Sequence, residues 1–182
     1  MNDEHLRYPT GRFQAPERKP ELRLKYVSAI GEFPAAFRHA AETLQDAGRL
    51  DERYRPGGWT ARQVIHHVMD SHTNAYVRHK RILTEDVPTL TPYAEGLWAR
   101  LPDVDLIPIR ISLDGLDALH ARWSVLLTQC GPAEWDRRGI HGGSGATYHL
   151  DTLAAHYTWH GRHHLAHLQL ILDAQSPVGA TG

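Results

Sequence analysis

The last third of the chain has a helical period, with Leu150, Leu153, Tyr157, Leu168 and Ile171 on one side and Asp151, Thr158, Arg162, Gln169 and Asp173 on the other. At about 100° per residue this predicts one amphipathic α-helix whose second set faces water. Six histidines, His149, His156, His160, His163, His164 and His167, lie within an arc of roughly 100° on the apolar side of that helix. The stripe therefore points into the protein. A buried polar group without a partner costs roughly 1 to 3 kcal/mol, so a line of imidazoles calls for a collective explanation.

The same pattern, read along the rest of the chain, predicts three more main helices. Residues 1–20 hold Pro9, Gly11, Pro16 and Pro20 among many charges and read as an extended N-terminal arm that wraps the domain or a partner. Helical composition runs from Glu21 to about Ala47, with a break at Pro34 and a new helix starting near Phe33, and Gly48 closes it. After a loop from Leu50 to Gly58, Thr60 caps a long helix to about Leu83. Pro88 and Pro92 interrupt the chain, a short turn spans Tyr93 to Arg100, and Ser112 caps a helix that reaches Cys130 before Gly131 and Pro132. The glycine-rich stretch from Gly139 to Tyr148 reads as a loop. Four main helices and little strand signal predict an all-α four-helix bundle with long loops, one domain over residues 21–182 following the arm.

Composition changes this picture only at the margins. A net charge of -1 and a pI near 6.9 offer no global attraction to nucleic acid or to an anionic membrane. No apolar run approaches the ~20 residues that span a bilayer. A lone Cys130 and the lack of a charged-then-apolar leader point to the cytoplasm. Cys130 itself reads as a small packed residue.

The chemistry lies in the histidines. Four residues separate His160 from His164, a helical spacing that lets two rings bind one cation. His163 with His167 and His156 with His160 offer the same spacing, which alone does not choose among them. The zinc-protease motif has Glu directly after its first histidine, whereas Gly161 stands there in "HGRHH". A further ligand is expected from a facing helix, and Thr60 to Leu83 offers His66, His67, His72 and His79. Periodicity puts His72 and His79 in the middle of that helix's core face, His67 at its margin and His66 outward. By periodicity alone His72 is the first nominee.

The segments "GGWTARQVIHHVMDSHTNAY" and "YTWHGRHHLAHLQ", with "TEDVPTLTPYAEGLW" between them, resemble the DinB/YfiT family of metal-dependent four-helix-bundle proteins, and most closely its YfiT branch of metal-dependent hydrolases. The resemblance covers roughly Pro20 to Leu172. In that family a tryptophan opens the second helix and a ligand histidine follows eight residues later, which implies His67 after Trp59. The other two ligands are a four-residue pair on the last helix, which implies His160 and His164. Many members have glutamine where this chain has His167. Three neutral imidazoles leave coordination positions open, as catalytic rather than structural sites do, and suit zinc or nickel alike. Asp70, Asn74 and Asp151 are candidate acceptors for the ligands' other nitrogens by proximity in sequence.

The resemblance implies a hydrolase of unknown substrate, with one divalent ion per chain activating water. The wider superfamily also implies a metal-dependent S-transferase using bacillithiol or a similar small thiol, since a metal acidifies a thiol as it does water. A non-catalytic metal-binding stress protein is the third expectation. A small-molecule substrate and a homodimer complete the expected partners, and no residue is nominated as the general base.

Overall fold

A computed structural model describes residues 3–174. The end of the expected domain, residues 175–182, lies outside them. A single helical turn, α1 (Glu4–Arg7), is followed by extended chain and then by α2 (Pro20–Asp46), α3 (Ala61–Thr84), β1 (Thr89–Leu90), α4 (Glu95–Trp98), α5 (Asp103–Leu106), α6 (Ile109–Thr128), α7 (Pro132–Trp135), β2 (Arg138–His141), β3 (Thr147–His149) and α8 (Leu150–Asp173). Helices α2, α3, α6 and α8 form a four-helix bundle. Both α2 and α3 pack on α6 and on α8, which sets consecutive α2 and α3 diagonally across the bundle. No helix of the described residues is long and apolar enough to cross a membrane.

Each long helix buries the face its apolar spacing dictates. In α2 the buried positions are Val27, Ile30, Pro34, Phe37, Ala40, Ala41 and Leu44, the three- and four-residue repeat of a stripe. Burying a side chain the size of Ile30, Phe37 or Leu44 stabilises by roughly 1.5 to 3 kcal/mol. α3 starts in a reciprocal cap, with Thr60 Oγ1 accepting from Gln63 N at 3.1 Å and Gln63 Oε1 accepting from Thr60 N at 3.0 Å. The core has one cluster around Phe37, Leu44, Val64 and Leu113 and another around Ile30, Tyr76, Trp123 and Leu153.

Several expectations are corrected. α2 runs unbroken through Pro34. Proline lacks the N–H that would bond the Ile30 carbonyl one turn earlier, yet that carbonyl accepts from His120 Nδ1 of α6 at 2.6 Å. α6 begins at Ile109, before Ser112, because Pro108 occupies the cap position and the Ser112 hydroxyl bonds His66 Nδ1 at 2.7 Å. The glycine-rich stretch is a loop only at its centre. Its flanks form the β2–β3 hairpin, and β1 joins β2 in parallel. Gly139 suits β2 because a Cβ there would lie 2.9 Å from the Leu90 side chain.

Asp151, expected in water, is only 3% exposed. The N-terminal arm covers it, as Arg18 Nε donates to Asp151 Oδ1 at 2.7 Å. The same segment runs along α8, where Gly11 O accepts from Trp159 Nε1 at 3.1 Å and Phe13 stacks on His156 at 4.5 Å.

Candidate metal centre

Where α3 faces α8, His67 meets His160 and His164. Their ring centroids are 5.4 Å apart for His67 and His160, 4.8 Å for His67 and His164, and 4.5 Å for His160 and His164. One nitrogen of each ring lies within 4.8 Å of the others, a spacing that could hold one ion. The donor set fits a divalent cation of intermediate softness, being three imidazoles without a carboxylate or thiolate. Burial keeps them uncharged at neutral pH: it pushes His67 down to about 3 and His160 and His164 well below the ordinary histidine value.

The remaining histidines of the stripe surround this group. His149 precedes α8 at the end of β3, with Nδ1 near Asp136 O at 3.2 Å, and it is the one member outside the helix. His156 lies against Phe13, and His163 between Trp159 at 4.7 Å and Tyr8 at 5.9 Å. Tyr54 stacks on His167 at 3.8 Å. His163, His164 and His167 also have nitrogens within 4.8 Å of one another, but they share His164 with the first group. Moreover, His167 Nε2 already meets Arg7 O, and its Nδ1 meets His164 Nδ1, both at 3.3 Å.

On α3, all four histidines are buried. His66, expected outward, packs against α6 and bonds Ser112, since this helix touches neighbours on more than one side. His79 Nδ1 donates to Ala75 O at 2.9 Å. His72, the first nominee by periodicity, sits behind the three-histidine group rather than in it. Its Nε2 is 3.1 Å from His160 Nδ1 and its Nδ1 is 2.7 Å from His120 Nε2. Sequence reasoning missed His120, whose place on α6 becomes visible only when the helices are assembled. None of the suggested carboxylates or amides is the partner: Asp151 is taken by Arg18 and Arg23, and Asn74 bonds Asp70 O.

A cavity of about 460 Å³ opens over the three histidines. Trp59 and Trp159 line it. Trp59 lies 4.6 Å from His67 by ring centroids. Tyr93, Tyr157 and Ser71 add hydroxyls. Tyr93 Oη is 3.4 Å from His67 Nδ1, Tyr157 Oη accepts from Arg78 at 3.0 Å, and Ser71 Oγ is 3.3 Å from His160 Nε2. Among the described lining residues Glu95 is the only carboxylate.

Gly161, which stands where zinc proteases carry glutamate, is explained by packing. A Cβ there would meet the Phe33 ring of α2 at 2.9 Å. The same ring packs on His72 and His120, with centroids 5.3 and 5.5 Å away.

A family model for the DinB superfamily matches residues 29–168. A protein of Bacillus mycoides (strain KBAB4), named "Putative metal-dependent hydrolase", is 45% identical over 164 residues, which span 90% of this chain and 93% of that protein. A protein of the same name from Geobacillus kaustophilus (strain HTA426) is 43% identical over 162 residues, 88% of this chain and 90% of that one. Among solved structures YfiT from Bacillus subtilis, described as a probable metal-dependent hydrolase with an unusual four-helix bundle topology, matches with a TM-score of 0.88. It is 37% identical, and the match covers 92% of this chain and 95% of that one.

Proposed function

Since the chain belongs to the DinB superfamily and its YfiT-like branch, we propose that it is a metal-dependent hydrolase of a small molecule and that His67, His160 and His164 hold its divalent ion, zinc or nickel. The observation that carries this is the convergence of three imidazoles, His67 and His164 buried and His160 half-buried, under an open cavity, with no fourth protein ligand among the described residues. Three ligands are the usual protein share of a catalytic site, whereas closed structural sites take four. Such an ion supplies acidification of water and polarisation of a carbonyl or phosphoryl oxygen. The chain does the rest. Trp59 and Trp159 bracket a substrate with apolar surface, the hydroxyls of Ser71, Tyr93 and Tyr157 donate to its oxygens, and Glu95 is placed to take up or return a proton at the rim. The names of the relatives support hydrolysis as the reaction.

The test is metal analysis of the purified protein, followed by turnover of ester and amide substrates in water and, separately, of electrophiles with added thiol. One ion per chain and turnover in water are expected, and both should be lost in His160→Ala and His164→Ala. Stoichiometric metal in either variant would remove the assignment. Turnover only with thiol would make the chain an S-transferase, and metal without turnover in either assay a binding protein.

A further inference from the structure

On the footing that His67, His160 and His164 are the metal-binding group, we infer that two chains of imidazoles, each ending on a backbone carbonyl, fix which nitrogen His160 and His164 present to the ion. His120 and His72 set His160, and His167 sets His164. These are positioning residues, which act through the ligands.

The order of hydrogen bonds follows from one fact: a carbonyl oxygen only accepts. The Ile30 carbonyl, freed by Pro34, lies 2.6 Å from His120 Nδ1, so that nitrogen carries the proton and donates. In a neutral ring the other nitrogen, His120 Nε2, is then an acceptor. It lies 2.7 Å from His72 Nδ1, which must donate to it. His72 Nε2 is thereby an acceptor, and His160 Nδ1, 3.1 Å away, donates to it. What remains on His160 is Nε2 with its lone pair uncovered by a proton. Ser71 Oγ, 3.3 Å from that nitrogen, is a donor suited to it. The second chain works in the same way. Arg7 O is 3.3 Å from His167 Nε2, which donates. His167 Nδ1 accepts from His164 Nδ1 at 3.3 Å, and His164 is likewise left with Nε2 free.

Both ligands on α8 therefore present Nε2 before any ion arrives, and both rings are held at their far side. His67 lacks this constraint, because the Tyr93 hydroxyl beside its Nδ1 can donate or accept. Neither gap along the first chain has room for two protons, since the facing nitrogens are 2.7 and 3.1 Å apart and His72 and His120 are each 1% exposed. Outer partners of ligand histidines are commonly carboxylates or carbonyls. Here two imidazoles stand between His160 and its carbonyl and one between His164 and its own.

Long-range proton–nitrogen correlation spectra of the full-length protein, metal-free and zinc-loaded, read the tautomers directly. His72, His120, His160 and His164 should carry their proton on Nδ1 and His167 on Nε2 in both states. A proton on Nε2 of His160 or His164 in the metal-free protein overturns the inference. Zinc titration against a chromogenic chelator supplies the second readout. His120→Leu should bind zinc about 10- to 100-fold more weakly. His120→Gln, whose amide can both donate to Ile30 and accept from His72, should recover most of that loss. Unchanged affinity in a folded His120→Leu protein, or no difference between the two variants, also overturns it. If the wild-type chain binds no zinc, the metal centre is wrong, while the tautomers of the metal-free protein still decide whether the chains exist.

Discussion

His160 is backed from inside the bundle, whereas His164 is backed from a segment that precedes it. The first chain runs through His72 and His120 to Ile30, across α8, α3, α6 and α2, and its two intermediates are each 1% exposed. The second passes through His167, 2% exposed, to the carbonyl of the exposed Arg7, the last residue of α1. One support exists whenever the bundle is folded. The other exists only while residues 3–19 lie along α8, held by a few rings and hydrogen bonds and by the ion pairs of Arg18 with Asp151 and Asp136. Segments like residues 3–19, none of whose side chains is buried, open at lower free energy than the helices they cover. The two ligands of one ion thus stand on supports of unequal stability, one set by global folding and one by local docking.

Acid should break the comparison most strongly. Burial lowers His79 and His120 to about 4 in the folded protein, against 6.5 ordinarily, so the unfolded chain binds more protons between those values. A lowered folded pKa means stability that is fully present above about 6.5 and falls as pH drops toward about 4. Melting midpoints of the metal-free protein should be flat near pH 7 to 8 and decline below 6.5, with more than one proton taken up on unfolding. A midpoint constant down to pH 5 would show that these rings are not buried uncharged.

Next in size is the contrast between His120→Leu and His167→Leu. Both should weaken zinc, but only the first removes a partner from the Ile30 carbonyl in the core. Leaving a buried polar group unpaired costs about 1 to 3 kcal/mol. His120→Leu should therefore lower the melting midpoint of the metal-free protein by several degrees and His167→Leu by much less. Equal shifts would mean that the two supports do not differ as described. Tyr8→Ala should have the smallest effect. It removes the ring stacked on His163 and should speed amide exchange in residues 3–13, leave exchange in α2, α3, α6 and α8 unchanged, and weaken zinc only a few-fold.

Much of the fold was legible because its signals are local. Thr60 announces α3, and the apolar repeat of Leu150 to Ile171 announces α8, both from residues close together in the chain. The resemblance carried by Trp59 and the histidine pair directed attention to three rings that the bundle does bring together. What escaped depended on partners far away in sequence. Pro34 reads as a break until His120, on another helix, takes up the carbonyl it frees. Asp151 reads as solvent-facing until Arg18 and Arg23 cover it. His66 reads as outward until α6 supplies Ser112. Asp70 and Asn74 were near the ligands in sequence, but the partners of His160 and His164 are the rings of His72 and His167, whose chains end on carbonyls of α2 and of the N-terminal segment. Strands β2 and β3 were hidden because glycine, ordinarily a sign of loops, is what lets β2 approach Leu90.

The contact between Gly161 and Phe33 has a bearing on redesign. A glutamate at 161 would complete the protease-like sequence, but its Cβ would need the space that the Phe33 ring occupies. That ring also covers His72 and His120, the support of His160. In this scaffold, grafting a base beside the first ligand and keeping that ligand aligned compete for the same space, so a designer would have to move α2 before rewriting α8.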